Sequence, residues 1–209
     1  MAAALRGMLA IISFVLAGQA GAVATLQVNS SGELVGALNV EVNATLYNVE
    51  IVEGSCTGLF SGCDEPRDFT FDTALEAFRA GLALFGQVFA NGPQGNFDTE
   101  PALVLGCESV VGLPNLCAAL TPYAALSEGA LAMSVRISVA DNSALEVGDI
   151  LSDSFTSRDL NTASSGAAAV LVYARWTPAA TSLPEPSCFT LLALGVLALG
   201  WSRLKTRTE

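Results

Sequence analysis

The side chains able to do chemistry in this chain are carboxylates, thiols and hydroxyls, because two of the usual catalytic partners are missing. No histidine occurs anywhere, and the single lysine, Lys205, lies close to the last residue. A Ser-His-Asp triad, a Cys-His pair, a Ser-Lys dyad and a Schiff-base lysine are therefore excluded by inventory, and histidine-bearing zinc sites go with them. What remains is a carboxylate pair of the kind that hydrolyses glycosides, but the eighteen Asp and Glu between Thr25 and Thr181 are scattered and single out no pair. We assign no catalytic residue, expect no cofactor and read the chain as non-enzymatic. The loop Asn91 to Glu100 sets Asn96, Asp98 and Glu100 at alternating positions beside two glycines, oxygen ligands of the type Ca²⁺ takes. It lacks the ligand spacing of an EF-hand and is read as a solvated loop, with no metal assigned.

Four cysteines lie in the body of the chain, Cys56 and Cys63 around Thr57–Gly62, then Cys107 and Cys117 around Glu108–Leu116. An even count suits a disulfide framework in an oxidising compartment. Three connectivities are possible. The local pairs Cys56–Cys63 and Cys107–Cys117 are expected, because Gly58, Gly62, Gly112 and Pro114 supply the turns that bring each pair to bridging distance. Neither spacing is a Cys-x-x-Cys metal knuckle. Cys188 is left odd.

Both ends carry export chemistry. Residues 1–24 read as a secretory signal peptide: Arg6, an apolar run from Met8 to Ala17, then Ala20-Gly21-Ala22 and Ala22-Val23-Ala24, each a small-x-small cleavage pattern. Cleavage is expected after Ala22 or Ala24, with the Sec translocon and signal peptidase as partners. At the other end, Leu183-Pro184-Glu185-Pro186-Ser187 cannot continue a helix or a ladder, since each proline lacks its N–H and constrains the residue before it. Cys188 to Trp201 then runs fourteen residues without charge. At about 1.5 Å per residue that helix reaches ~21 Å against a hydrocarbon core of ~30 Å. Arg203, Lys205 and Arg207 follow at once, and such residues stop transfer and snorkel to make up length. Summed over its Phe, Leu and Val residues the span is favourable by roughly 2–4 kcal/mol. That is a marginal anchor, suited to a temporary hold. The transmembrane helix is placed at 188–202.

The ordered triplet of Pro184-Glu185-Pro186, Leu/Ala/Gly-rich span and basic tail resembles the PEP-CTERM sorting domain of Gram-negative exported proteins, over residues 183–209. The resemblance implies Sec export, transient anchoring in the inner membrane, recognition and processing by the membrane protease exosortase, and delivery to the cell surface or its polysaccharide matrix. The stretch Leu46-Tyr47-Asn48-Val49, Gly54-Ser55-Cys56 and Gly62-Cys63-Asp64 also looks like the N-terminal part of one group of such exoproteins, a likeness that implies no activity.

The elements between these ends must form one domain, 25–176, followed by a linker, 177–182. Its five arginines against eighteen carboxylates leave a net charge of −13, which disfavours nucleic acid and favours solubility. Thr25 to Val28 reads as a strand, Asn29-Ser30-Ser31-Gly32 as a turn, and Val40, Val42 then Tyr47, Val49, Ile51 as strands whose change of parity calls for a bulge or tight turn at Asn43-Ala44-Thr45. Thr73-Ala74-Leu75-Glu76 is a capping box. Leu75, Phe78, Leu82, Phe85 and Phe89 follow at steps of three and four and are expected to line the core until Asn91-Gly92-Pro93 stops the helix. Leu84, Ala80 and Ala83 lie away from that stripe, which suggests cover on a second side. Met133, Val135, Ile137 and Val139 alternate as a half-buried strand, and Ala168 to Trp176 reads as another. Strands, a helix and strands again predict an α+β fold, a single predominantly antiparallel β domain with one main amphipathic helix. Three functions fit: a structural or adhesive exopolysaccharide-associated component, a carbohydrate- or Ca-binding module, or a carboxylate-dependent hydrolase. A binding module would expose aromatic residues as a platform, three or more of them coplanar, whereas Phe69, Phe71, Phe97, Tyr123 and Trp176 are all compatible with a core.

Overall fold

The computed structural model describes residues 23–108, 115–126, 133–144, 148–163 and 170–180. The chain divides into two compact units, Met1–Ala179 and Ala180–Glu209. The first is described here. The signal peptide (1–22 of it), the sorting motif, the 188–202 span and the basic tail lie outside the described residues. Among the described residues no helix is long and apolar enough to cross a membrane.

The body is a seven-stranded sheet, mostly antiparallel, with one principal helix. The strands are β1 (Thr25–Val28), β2 (Leu34–Val42), β3 (Thr45–Val52), β6 (Leu116–Leu126), β7 (Ser134–Ser143), β8 (Ile150–Ser157) and β9 (Leu171–Pro178), and β4 (Asn91–Gly92) with β5 (Gly95–Asn96) forms a minor hairpin. The order across the sheet is β1-β2-β3-β9-β6-β7-β8. Among the described strands only β6 and β9 pair in parallel, through Ala118–Leu171 to Leu120–Tyr173. The last strand therefore lies in the middle and runs two residues into the stretch read as linker.

The parity change in the first hairpin is a tight turn. Asn43 and Ala44 both have positive φ, 51° and 62°, the two-residue geometry whose twist matches that of paired strands. A second irregularity in β2 falls between Ala37 and Val40, where Asn39 takes φ 57°. Near it β2 runs so close to β3 that a Cβ on Gly36 would sit 2.2 Å from the Val49 carbonyl oxygen. Only glycine fits there.

Each face of the sheet carries its own core. On one face Val49, Ile51, Ala119, Ala140, Val172, Ala174 and Trp176 pack beneath helix α2 (Ala74–Ala83). On the other, Leu120, Val135, Ile137 and Tyr173 are covered by Phe60 and Phe69 and by the Cys56–Cys63 loop, which holds the short helix α1 (Cys56–Leu59). Neighbours such as Val172 and Tyr173 enter different cores because successive strand residues point to opposite faces.

Helix α2 begins where the capping box places it: Thr73 Oγ1 accepts from the Glu76 N–H and donates to the Glu76 carboxylate. Its orientation overturns the expectation. Leu75, Phe78 and Leu82 are 57%, 39% and 52% exposed, whereas Ala77, Ala80, Ala83 and Leu84 are buried. The small side chains set the docking distance. A Cβ on Gly81 would lie 2.4 Å from Leu151 Cδ1, so the Ala-Gly face settles closer to the sheet than a Phe-Leu face can. A π turn at Leu84–Val88 then shifts the phase, and Phe89 returns to the core, 1% exposed. The α-helix thus ends at Ala83, well before Asn91.

Candidate functional site

The expected disulfides are present. Cys56 bonds Cys63 and Cys107 bonds Cys117, with Cα separations of 5.6 and 5.4 Å. They brace different cores: Cys107 and Cys117 lie beneath α2, Cys56 and Cys63 on the opposite face. Ser55 caps α1 by accepting from the Gly58 N–H, and this turn brings Cys56 back toward Cys63.

The five aromatic residues weighed between core and platform are all buried. Phe69, Phe71, Phe97, Tyr123 and Trp176 are 7, 3, 0, 5 and 3% exposed. Phe71 stacks obliquely on Tyr47 and edge-on to Trp176, whose indole N–H donates to Thr121 Oγ1 at 3.2 Å. These rings are core, as the burial of Tyr and Trp with a satisfied polar tip requires.

In the loop Asn91 to Glu100 the oxygens turn inward. Asn91 Oδ1 accepts from the backbone N–H groups of Asp98 and Thr99, its amide donates to the Asp98 carboxylate, and the Asn96 amide donates to Glu100. Phe97 is buried beneath the loop, and its carbonyl accepts from the Asn142 amide at 2.8 Å. The alternating oxygens thus hold the loop's own shape. Among the described residues no group of three or more His, Cys, Asp and Glu is placed to hold a metal ion. Asp98 does approach one other carboxylate. Its charge helps raise the Asp149 carboxyl above the usual range, chiefly an effect of burial and opposed by the Ser143 N–H that donates to Asp149.

A hydrogen-bonded polar group crosses β6, β7 and β8. The Tyr123 hydroxyl donates to Asp153 at 2.6 Å, and the Arg136 guanidinium reaches the other Asp153 oxygen at 2.9 Å. Burial first, then the bond to Asp153, holds the Tyr123 hydroxyl above its ordinary pKa. It therefore stays protonated and acts as a donor, not as a base. Deep in the sheet, burial pushes Tyr173 up to about 12, against a small lowering by the Cys56 backbone.

A concavity of about 460 Å³ lies on the sheet face opposite α2, lined by Val35, Gly36, Leu38, Asn48, Glu50 and Val52 among others. Its carboxylate, Glu50, is paired with Arg175 across β3 and β9. The lining thus offers an apolar floor and a neutralised rim.

Sequence reading did not single out Tyr123, Asp153 or Glu50 as members of these groups. The signal that bears on them is cross-strand register: Asp153 stands opposite Ser138, and Glu50 opposite Arg175. No protein-family model matches this chain, and neither the curated proteins nor the solved structures yield a match.

Proposed function

We propose that this chain is an exported protein sorted by exosortase through its C-terminal PEP-CTERM signal. Its body would act as a non-enzymatic structural or adhesive component of the cell surface or exopolysaccharide matrix. The observation that carries this reading is the ordered triplet of Pro184-Glu185-Pro186, an uncharged span and Arg203, Lys205 and Arg207. It is supported by two disulfides, which fit an oxidising, extracytoplasmic environment. The acidic body supports it as well, since a net charge of −13 keeps neighbouring copies soluble outside the cell. In this reading the inner membrane holds the chain only until the tail is cut near the motif, and Sec, signal peptidase and exosortase are the successive partners.

The test is Glu185→Ala in the native host. Full-length protein should accumulate in the inner membrane, and unaltered release of a trimmed product would refute the sorting role. Intact mass of the released wild-type form then reports both cleavage sites, and a loss of four hydrogens reports the two bridges.

A further inference from the structure

Sulfur chemistry in the body comes down to a single atom. The four body cysteines are bonded in pairs, so among the described residues Met133 carries the one sulfur outside a bridge. The other methionines, Met1 and Met8, fall in the stretch read as signal peptide. Met133 is 55% exposed, and a thioether so placed is open to a small oxidant that converts it to the sulfoxide.

The guanidinium beside it distinguishes Met133 from an ordinary surface methionine. Met133 directly precedes β7 and Arg158 directly follows β8, so the two stand opposite each other at the open end of that strand pair, and the Arg158 N–H donates to the Met133 carbonyl at 2.9 Å. This backbone bond holds the side chains next to one another. Arg158 Nη2 donates to Met133 Sδ at 3.3 Å, while Nη1 donates to the Cys63 carbonyl at 3.5 Å and lies 3.9 Å from the Asp64 carboxylate. The Arg158 side chain is only 12% exposed, and it clasps the end of β7 and β8 to the Cys56–Cys63 loop that covers the second core. A thioether sulfur is a weak acceptor. A sulfoxide oxygen, which bears much of a negative charge, takes a far stronger bond from a guanidinium.

We propose that Met133 is an oxidation site for hydrogen peroxide and that Arg158 receives its sulfoxide, so that oxidation tightens the clasp on the Cys56–Cys63 loop. Sulfur has two lone pairs, and Arg158 engages one, which leaves the other for the oxidant. That pair attacks one peroxide oxygen and the O–O bond breaks. The departing hydroxide then takes the proton from the transferred oxygen, so thioether and H2O2 become sulfoxide and water, sulfur giving up two electrons and peroxide gaining them. Rotation of the exposed side chain turns the new oxygen onto Arg158 Nη2. Oxidation of a core methionine loosens a fold by placing a polar atom among apolar ones; here the oxygen meets a buried donor instead. The proposal rests on no part of the sorting reading.

Mild peroxide treatment of the full chain in peroxide-free non-ionic detergent, followed by peptide mass and thermal unfolding, tests it. The peptide holding Met133 should gain one oxygen, and the unfolding midpoint should rise by about 2–4 °C. Treatment with methionine sulfoxide reductase should reverse both. Met133→Leu should show no rise on treatment. Arg158→Lys keeps the charge without the fork, and its own untreated form is its reference, so the rise on oxidation should shrink to less than half. Met133→Gln, which sets an amide oxygen where the sulfoxide oxygen would be, should raise the midpoint without any oxidant and leaves Arg158 untouched. A Met133 that stays a thioether while free methionine in the same tube is consumed overturns the proposal. So does a midpoint that falls on oxidation, or a rise that persists undiminished in Met133→Leu or Arg158→Lys.

Discussion

Removing the Cys107–Cys117 bridge by a Cys107→Ala/Cys117→Ala double substitution is expected to cost about 2.7 kcal/mol. The two residues are ten apart, and the chain-entropy relation converts a loop of that length into about 9 cal/mol/K of unfolded-state entropy at 25 °C. Alanine is the right replacement because both positions are nearly inaccessible, 3% and 0% exposed, and a serine hydroxyl there would add an unsatisfied polar group. The same arithmetic for Cys56–Cys63, seven apart, gives about 2.4 kcal/mol. Because the bridges brace cores on opposite faces of the sheet, their losses should add, to about 5 kcal/mol. A domain of this size has a total stability of about 5–15 kcal/mol. The fully reduced protein should therefore stand near the edge of folding, which ties the fold to an oxidising compartment. Urea denaturation of the full chain, oxidised and after reduction with thiol loss verified by alkylation and mass, measures this directly. A midpoint unchanged on full reduction would refute the reasoning.

Three further outcomes follow from the geometry. Gly36→Ala should destabilise by about 2–4 kcal/mol, from lost ladder hydrogen bonds and a strained φ of +150°. Gly32→Ala, with φ +87° and nothing within 4 Å, should cost only about 1 kcal/mol, so equal midpoints for the two in urea would contradict the strand contact. Asp141 is raised above its usual pKa by burial, so its charge opposes folding. Stability from this group is fully present below the unfolded value of about 3.9 and is lost as pH rises through the folded value. Asp141→Asn should accordingly stabilise at pH 7 and lose its advantage below about pH 4, and a gain independent of pH would count against the assignment. Tyr123→Phe removes the hydroxyl bonded to Asp153 and should cost about 1 kcal/mol, read as a thermal midpoint lower by a few degrees; no change would show that solvent replaces the bond.

How much of this was legible in the residues varies with the kind of signal. The Asn43-Ala44 turn, the Thr73 cap and the two bridges were, because each is set by a few neighbours. Strand β6 was not recognised: Leu116 to Leu126 is rich in alanine and contains Pro122, which normally argues against a central strand. The structure tolerates it because β9 pairs with β6 only through Leu120 and the register slips between Pro122 and Ala124. Strand β8 was missed for a different reason, since Ile150 to Ser157 lies on the sheet edge and shows little apolar alternation. The inverted helix is the instructive case. Periodicity located both of its faces, but which one meets the sheet is decided by approach distance at Gly81 and Leu151, a tertiary quantity absent from a helical wheel. The Tyr123–Arg136–Asp153 group was hidden likewise, because it is assembled across three strands.

The place of β9 has a consequence for how the molecule comes into being. Residues Leu171–Pro178 supply the seam between β3 and β6, so until they arrive the strands on either side share no partner and the sheet is two separate halves. A polypeptide threaded amino end first stays unzipped until almost the entire body has emerged. Closure is then abrupt, and a truncation before Leu171 should leave two three-stranded fragments with no keystone to join them.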